Sequence, residues 1–484
     1  MDSEQRRRRS QRLRGHRIRL DSLRIQRVLA SGHHSAMGSF DADVDDLSAH
    51  GLSLIVSPPQ GSVVLAGDRL SRLRLTAGSA TVYEGTAQVR RVTERADALA
   101  LGVELERGAI DLDAIYALDT RSSFSERLQI LHEGRAHAEL STEFKAWVAD
   151  YRAYMDSLKR FLDTEEATLR SLDKWSREET ILQYVREAQG PVVETLNAAS
   201  TRLGDLVNGL DESAHRHHRR YYQDHILEYY LQSPFLRRAY EKPLGYAGDY
   251  EMMNMLYRDH VEGDSIFGKL INVYACQEPA ARANINRIQF LGQAIRRVVD
   301  QRPSGRVQIA SIGCGPAREI RSLLADYPEV GERLEIALID QDERAIRFCE
   351  RTLTPIANHT GARMHFIDES IRKLLTSQRI AETLGDQHLI YSAGLFDYLG
   401  DRAFRLLLSR LYEALIDGGE LYIGNVNADA HRNRWTMEYG SDWYLNHRTP
   451  DELRELASDI APRPKVREVT SEPTGVNLFL HMRK

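Results

Sequence analysis

The run Ile309, Ala310, Ser311, Ile312 passes directly into Gly313, Cys314, Gly315 and then, through Pro316 and Ala317, into a helical pattern beginning at Arg318 and Glu319. Glycine suits such a bend because a side chain would keep the backbone from closely approaching a nucleotide-like ligand. From there the chain alternates. Hydrophobic runs at 307–312, 334–339, 363–367, 388–392 and 420–425 are separated by helical stretches, which predicts a doubly wound parallel α/β sheet. Two last runs, 466–470 and 476–481, flank the turn Ser471, Glu472, Pro473, Thr474, Gly475. They predict an antiparallel hairpin that closes the sheet.

A chain of 484 residues is too long for one ordinary core, so a multidomain protein is expected. Short apolar runs at 23–30, 40–47, 52–57, 69–75, 80–90 and 99–105 predict a small antiparallel β-barrel. Between 111 and 232 the period lengthens, with Phe144, Trp147, Val148, Tyr151 and Tyr154 at spacings of three and four. That predicts a helical bundle or connector whose apolar stripe packs in the core or forms a homodimer contact. The expected division is a barrel with an arginine-rich arm at 1–110, a helical connector at 111–232, a helical lid and substrate region at 233–302, and a Rossmann-like domain at 303–484. Hydrophobic residues at 42% and charged residues at 28% suit a globular chain rather than a disordered one. With no membrane-spanning run and no secretory signal, a cytoplasmic protein is expected. Cys276, Cys314 and Cys349 form no paired motif, so buried thiols are expected rather than disulfides. His215 and His218 share a helix face but His217 does not, which favours a solvated helix and no metal.

In the sheet region the candidate cofactor residues follow in order. Gly313, Cys314 and Gly315 form the bend, and the next strand ends at Asp340 and Gln341, where an acidic side chain accepts hydrogen bonds from both hydroxyls of a ribose. The interval from Gly313 to Asp340 exceeds the usual spacing of about 20 residues, predicting an extra turn or loop. Asp368 and Glu369 follow the third strand as acceptors for an adenine amino group, and Ser392, Ala393 and Gly394 follow the fourth, beside the reacting group. A nicotinamide dehydrogenase would need Gly or Ala where Arg318 stands.

These residues resemble class I S-adenosylmethionine-dependent methyltransferases. Two longer blocks, 233–253 and 435–448, resemble in particular the family described as extracellular-factor 3-hydroxypalmitic acid methyl ester biosynthesis proteins, and the resemblance covers residues 213–484. It implies methylation of the carboxylate of a hydroxy fatty acid or similar lipid-like acid to a methyl ester signal, in a bacterium. A carboxylate is already an anion at neutral pH, so positioning and exclusion of water are the main tasks. Tyr240, Lys242 and Tyr250 would serve as a lid and acid-steering group, and Trp443, Tyr444 and Arg448 as a substrate wall. The alternative for the block around Asp249 is a plain loop whose aspartate caps the next helix. Tyr246, Asp397, Tyr398 and His447 are the candidate catalytic residues. If the acceptor is instead a hydroxyl or amine of another small metabolite, Asp397, Tyr398 or His447 would be the base. The fourth strand lacks the Asn/Asp-Pro-Pro-aromatic pattern of nucleic-acid N-methyltransferases, so no nucleic-acid polymer is expected as partner.

Asp46, Leu47, Ser48, Ala49, His50, Gly51, preceded by arginines and followed by barrel strands, resembles a PilZ domain. The resemblance implies cyclic di-GMP as a regulator, gripped by arginines such as Arg8, Arg12 and Arg17 and supported by Asp46, Ser48 and Gly51. The Arg8 to Arg12 pair lies farther from Asp46 than that family usually places it. A docking barrel therefore remains open beside a nucleotide sensor, as does a cyclic di-GMP-responsive adaptor with a non-catalytic methyltransferase fold.

Overall fold

The computed structural model describes residues 18–19, 28–59, 62–77, 80–95, 98–112, 115, 140–302, 304–370, 373–374, 384–429 and 431–484. Arg8, Arg12 and Arg17 lie outside them.

Strands β2 (Val28–His34), β3 (Gly38–Leu47), β4 (Gly51–Val56), β5 (Arg69–Ala77), β6 (Ala80–Arg95) and β7 (Ala98–Leu105) form the N-terminal antiparallel barrel. The order β3-β2-β5-β6-β7-β4 closes through pairing of β3 with β4, and a short β1 (Ile18–Arg19) adds to β3. Closure removes the exposed edges of an open sheet. Alternating residues fill the interior, among them Leu54, Leu70, Leu73, Leu75, Val89 and Leu101, all fully buried.

Helices α1 (Thr142–Thr168), α2 (Lys174–Val207) and α3 (Glu212–Tyr230) make the central helical layer. Each begins on a side-chain cap, Ser141, Asp173 and Asp211 respectively, which satisfies otherwise orphaned first-turn N–H groups. The predicted stripe turns inward through Phe144, Val148 and Tyr151, while Trp147 stacks on Tyr151. His215 stacks on Trp435, with ring centroids 4.2 Å apart, and its Nδ1 lies 2.9 Å from the Tyr439 hydroxyl. His218 packs edge-on against Phe144. His215 and His218 are therefore core groups rather than the solvated residues expected.

Next come α4 (Pro234–Glu241), α5 (Tyr250–Leu256), α6 (Ile266–Gln277) and α7 (Pro279–Asp300). They lead into the second sheet: β8 (Val307–Ile312), α8 (Arg318–Asp326), β9 (Leu334–Asp340), α9 (Glu343–Thr360), β10 (Arg363–Asp368), β11 (Gln387–Ser392), α10 (Asp401–Glu413), β12 (Leu415–Val426), α11 (His431–Ser441), α12 (Pro450–Leu456), β13 (Val466–Ser471) and β14 (Asn477–Arg483). Strand order is β10-β9-β8-β11-β12-β14-β13, parallel except that β14 runs antiparallel to both β12 and β13. This is the doubly wound sheet with an antiparallel hairpin that the sequence predicts. Between α8 and β9 an extra short helical segment, Pro328–Arg333, takes up the excess length before Asp340. No helix among the described residues is long and apolar enough to cross a membrane.

Candidate active site

Parallel order reverses between β8 and β11, and their C-terminal tips part there to leave a crevice, the usual ligand position in such sheets. Here it is a cavity of about 150 Å³. Gly313, Cys314 and Gly315 form one wall, with φ of 66° at Gly313 and 53° at Gly315. These left-handed angles are ones that side chains other than glycine rarely adopt. A Cβ on Gly313 would stand 3.1 Å from Leu395 Cβ.

Asp340, at the tip of β9, turns toward this bend. Its Oδ2 accepts from the Gly315 N–H at 2.9 Å and its Oδ1 from the Asp342 N–H at 3.0 Å. A carboxylate has about four acceptor positions, so two backbone bonds leave capacity for a ribose diol. Burial raises the carboxyl to about 6. Bare backbone beside an anchored acidic group fits the adenosyl part of S-adenosylmethionine. Gln341, Glu369, Ala393 and Gly394 also line the cavity. Asp368 is exposed and Ser392 is buried beneath, its Oγ donating to Ile312 O at 2.9 Å. Neither lines the cavity.

Of the four candidate catalytic residues, Tyr246, Asp397 and Tyr398 line the cavity. Burial, reinforced by nearby Asp340 and Asp342 for Tyr246 and by Asp397 for Tyr398, raises both phenols far above neutrality. They are donors and aromatic walls, not bases. Asp397 is pushed up to about 7, chiefly by burial, against the opposing Val426 N–H and the charges of Arg287 and Arg448. Its Oδ1 accepts from Val426 N at 2.7 Å. A carboxyl raised above its unfolded value of 3.8 binds more protons folded than unfolded. The stability it contributes is complete below that value and is lost as pH rises through about 7. Asp397→Asn keeps an acceptor for Val426. It is expected to flatten the fall in stability across this window, by up to about 1.4 kcal/mol per pH unit, as read from urea unfolding at a series of pH values.

His447 lies outside this cavity, in a separate cleft with Asp401, Arg405 and Arg434. Arg448 is spent on structure: it donates to Asn425 Oδ1 at 2.7 Å, Leu399 O at 2.6 Å, Phe396 O at 3.3 Å and Asp401 Oδ1 at 2.9 Å. It braces the segment carrying Asp397 rather than steering an acid. Lys242 Nζ donates to Asp442 O at 2.7 Å. With Tyr444 it lines a small interdomain cavity that also receives Asp46. Tyr240 is half-buried and away from the site. Ser48 N and Oγ both donate to Gly51 O, tightening the turn between β3 and β4.

The lid segment does reach the cavity, through Tyr246, Gly248 and Tyr250. A Cβ on Gly248 would lie 2.6 Å from the Tyr398 hydroxyl and 3.0 Å from Trp443 Cζ2, so only glycine lets this backbone seat against them. Trp443 Nε1 donates to the Tyr398 hydroxyl at 3.1 Å. The plain-loop reading also holds locally: Asp249 caps α5 by accepting from Met252 N, and it pairs with Arg238.

Several lining residues carry no sequence signal. Arg287 projects from α7, and its Nη1 donates to Ala393 O at 3.3 Å. A Cβ on Gly394 would be 3.0 Å from that same Nη1 and 3.5 Å from Asp397 Oδ2. A guanidinium and a carboxyl therefore converge over Gly394. Glu319, buried beside them, accepts from the Tyr391 hydroxyl at 2.7 Å. Arg90, Arg91 and Val92 of β6 complete the wall, so the barrel itself helps to enclose the site. Arg91 of the barrel and Arg219 of α3 both lie over the Tyr444 ring.

No family model and no curated protein matches the chain. Solved structures resemble it at low identity. A possible exported protein from Bordetella parapertussis is 17% identical over 61% of this chain and 97% of that one, with TM-score 0.42. Mitomycin 7-O-methyltransferase is 15% identical over 53% and 70%, with TM-score 0.31. The magnesium protoporphyrin IX methyltransferase of Synechocystis PCC 6803, solved with SAM, is 9% identical over 55% and 96%, with TM-score 0.33.

Proposed function

We propose that this chain is an S-adenosylmethionine-dependent methyltransferase that esterifies the carboxylate of a small, lipid-like acid. The observation that carries the reading is the bare bend at Gly313 and Gly315 tied to Asp340 by the Gly315 N–H, opening on one cavity with Arg287 and Asp397. Bound S-adenosylmethionine supplies an electrophilic methyl group on a cationic sulfonium. The bend and Asp340 would hold its ribose, and Glu369 the adenine side. Arg287 is a planar cation that suits an acid acceptor, since a guanidinium binds a carboxylate in two places. Tyr246, Tyr250 and Trp443 would exclude water, which favours an attack in which opposite charges are neutralised.

A second reading, methylation of a hydroxyl, is favoured by the Asp397 carboxyl at about 7, a value that suits a general base near neutral pH. Labelled methyl transfer separates the two. Transfer to fatty acids giving base-labile label, with no requirement for Asp397 to ionise, supports the ester. Base-stable label, with a rate that climbs through pH 7, supports the hydroxyl. Failure of calorimetry to detect S-adenosylmethionine binding would overturn both. Cyclic di-GMP regulation by the barrel belongs to the same proposal and is tested by titrating the nucleotide into the full chain.

A further inference from the structure

Beside the main cavity lies a smaller one of about 50 Å³. The two share Ala280, Asn284, Met437 and Trp443 in their walls, so they are neighbouring compartments separated by a few side chains. The smaller is lined mainly by apolar and aromatic groups, including Phe235, Tyr274 and Ala281, and by one carboxyl, Glu278.

Glu278 stands at the junction of α6 and α7 and is only 9% exposed. A carboxylate preceding a helix ordinarily accepts from the first-turn N–H groups, but this side chain makes no capping hydrogen bond. Its Oε1 is buried with no hydrogen-bond partner, while the Tyr274 hydroxyl beside the carboxyl favours its charged form. A buried acceptor without a donor costs free energy, and such groups in native proteins call for an explanation. Burial holds the carboxyl at about 7, only partly offset by Tyr274.

We infer that this annex is the tail subsite of the acceptor, taking an apolar chain whose far end carries a hydrogen-bond donor, a hydroxyl or an ammonium, for Glu278. The assignment rests on the reading of the main cavity as the acceptor site and adds the class of acceptor: an amphiphile with an acid at one end and a donor at the other. The apolar walls desolvate the chain, and the donor satisfies the orphaned oxygen.

Calorimetry on the full chain tests this without turnover. Medium-chain ω-hydroxy and ω-amino fatty acids are compared with plain fatty acids of equal length, in wild type, Glu278→Gln, Glu278→Leu and Ala281→Trp. The wild type is expected to prefer donor-ended acids by about tenfold. Glu278→Leu should erase that preference, Glu278→Gln should keep part of it for the hydroxyl and lose it for the ammonium, and Ala281→Trp should weaken long acids and spare short ones. S-adenosylmethionine affinity should stay unchanged in all three variants. Equal affinity for plain and donor-ended acids in the wild type, or a preference that survives Glu278→Leu, overturns the inference. A Glu278-dependent preference in a chain that binds no S-adenosylmethionine would sink the methyltransferase reading and leave the annex standing.

Discussion

Asp340→Asn is expected to weaken S-adenosylmethionine binding by about 10- to 100-fold, because the carboxylate does two jobs that an amide cannot share. One oxygen accepts from the Gly315 N–H and the other from the Asp342 N–H. An amide offers one oxygen and one NH₂, so one of these backbone donors would face another donor. Each hydrogen bond to a charged acceptor is worth about 1.5 to 3 kcal/mol, and about 1.4 kcal/mol is a factor of ten. The loss falls on the bend and on the ribose contact together. Isothermal calorimetry reads it, with a thermal melt to establish that the variant is folded. An affinity within twofold of wild type in a folded variant would remove Asp340 from the cofactor site.

Gly424→Ala should lower stability by about 3 kcal/mol and disable the site with it. A Cβ at this position would lie 2.3 Å from Ala393 O, 3.0 Å from Ala393 C and 3.2 Å from Ser392 O. All three are backbone atoms, so no side-chain rotation relieves the clash and β11 and β12 must separate. Ala393 O is also the acceptor of Arg287 Nη1, so moving it displaces the guanidinium over Gly394. Chemical unfolding gives the stability change, and methyl transfer by the folded fraction gives the effect on the site. A variant as stable as wild type would mean that the strands can part without cost.

Local patterns carried much of this. The strands of the second sheet follow from runs of apolar residues: β8 keeps its expected bounds, Val307 to Ile312, whereas β12 begins at Leu415, ahead of its expected start at Glu420. In the barrel the run 23–30 is described only from Val28 on, where it is strand. Arg448 and His447 stood out as polar groups in an aromatic block. Whether a side chain faces the cavity or braces its rim depends on how the chain around Asn425 and Leu399 returns to meet it, and Arg448 turned out to brace. Glycine 424 looked like one more small residue in a strand, and its necessity is visible only from the Ala393 carbonyl beside it.

The amino-acid order alone determined the alternation of strands and helices, the glycine bend, and the acidic tip of the next strand, because each depends on neighbours within a few turns of chain: periodicity, backbone freedom at glycine, and the polarity of a strand end. Tertiary structure alone decided that Arg287 from a preceding helix and Asp397 from a later segment meet over Gly394, that the Glu278 Oε1 is buried without a hydrogen-bond partner, and that barrel residues Arg90 and Arg91 help close the cavity. Those relations join groups far apart in the chain, and burial and charge acquire their values only once packing has excluded water from between them.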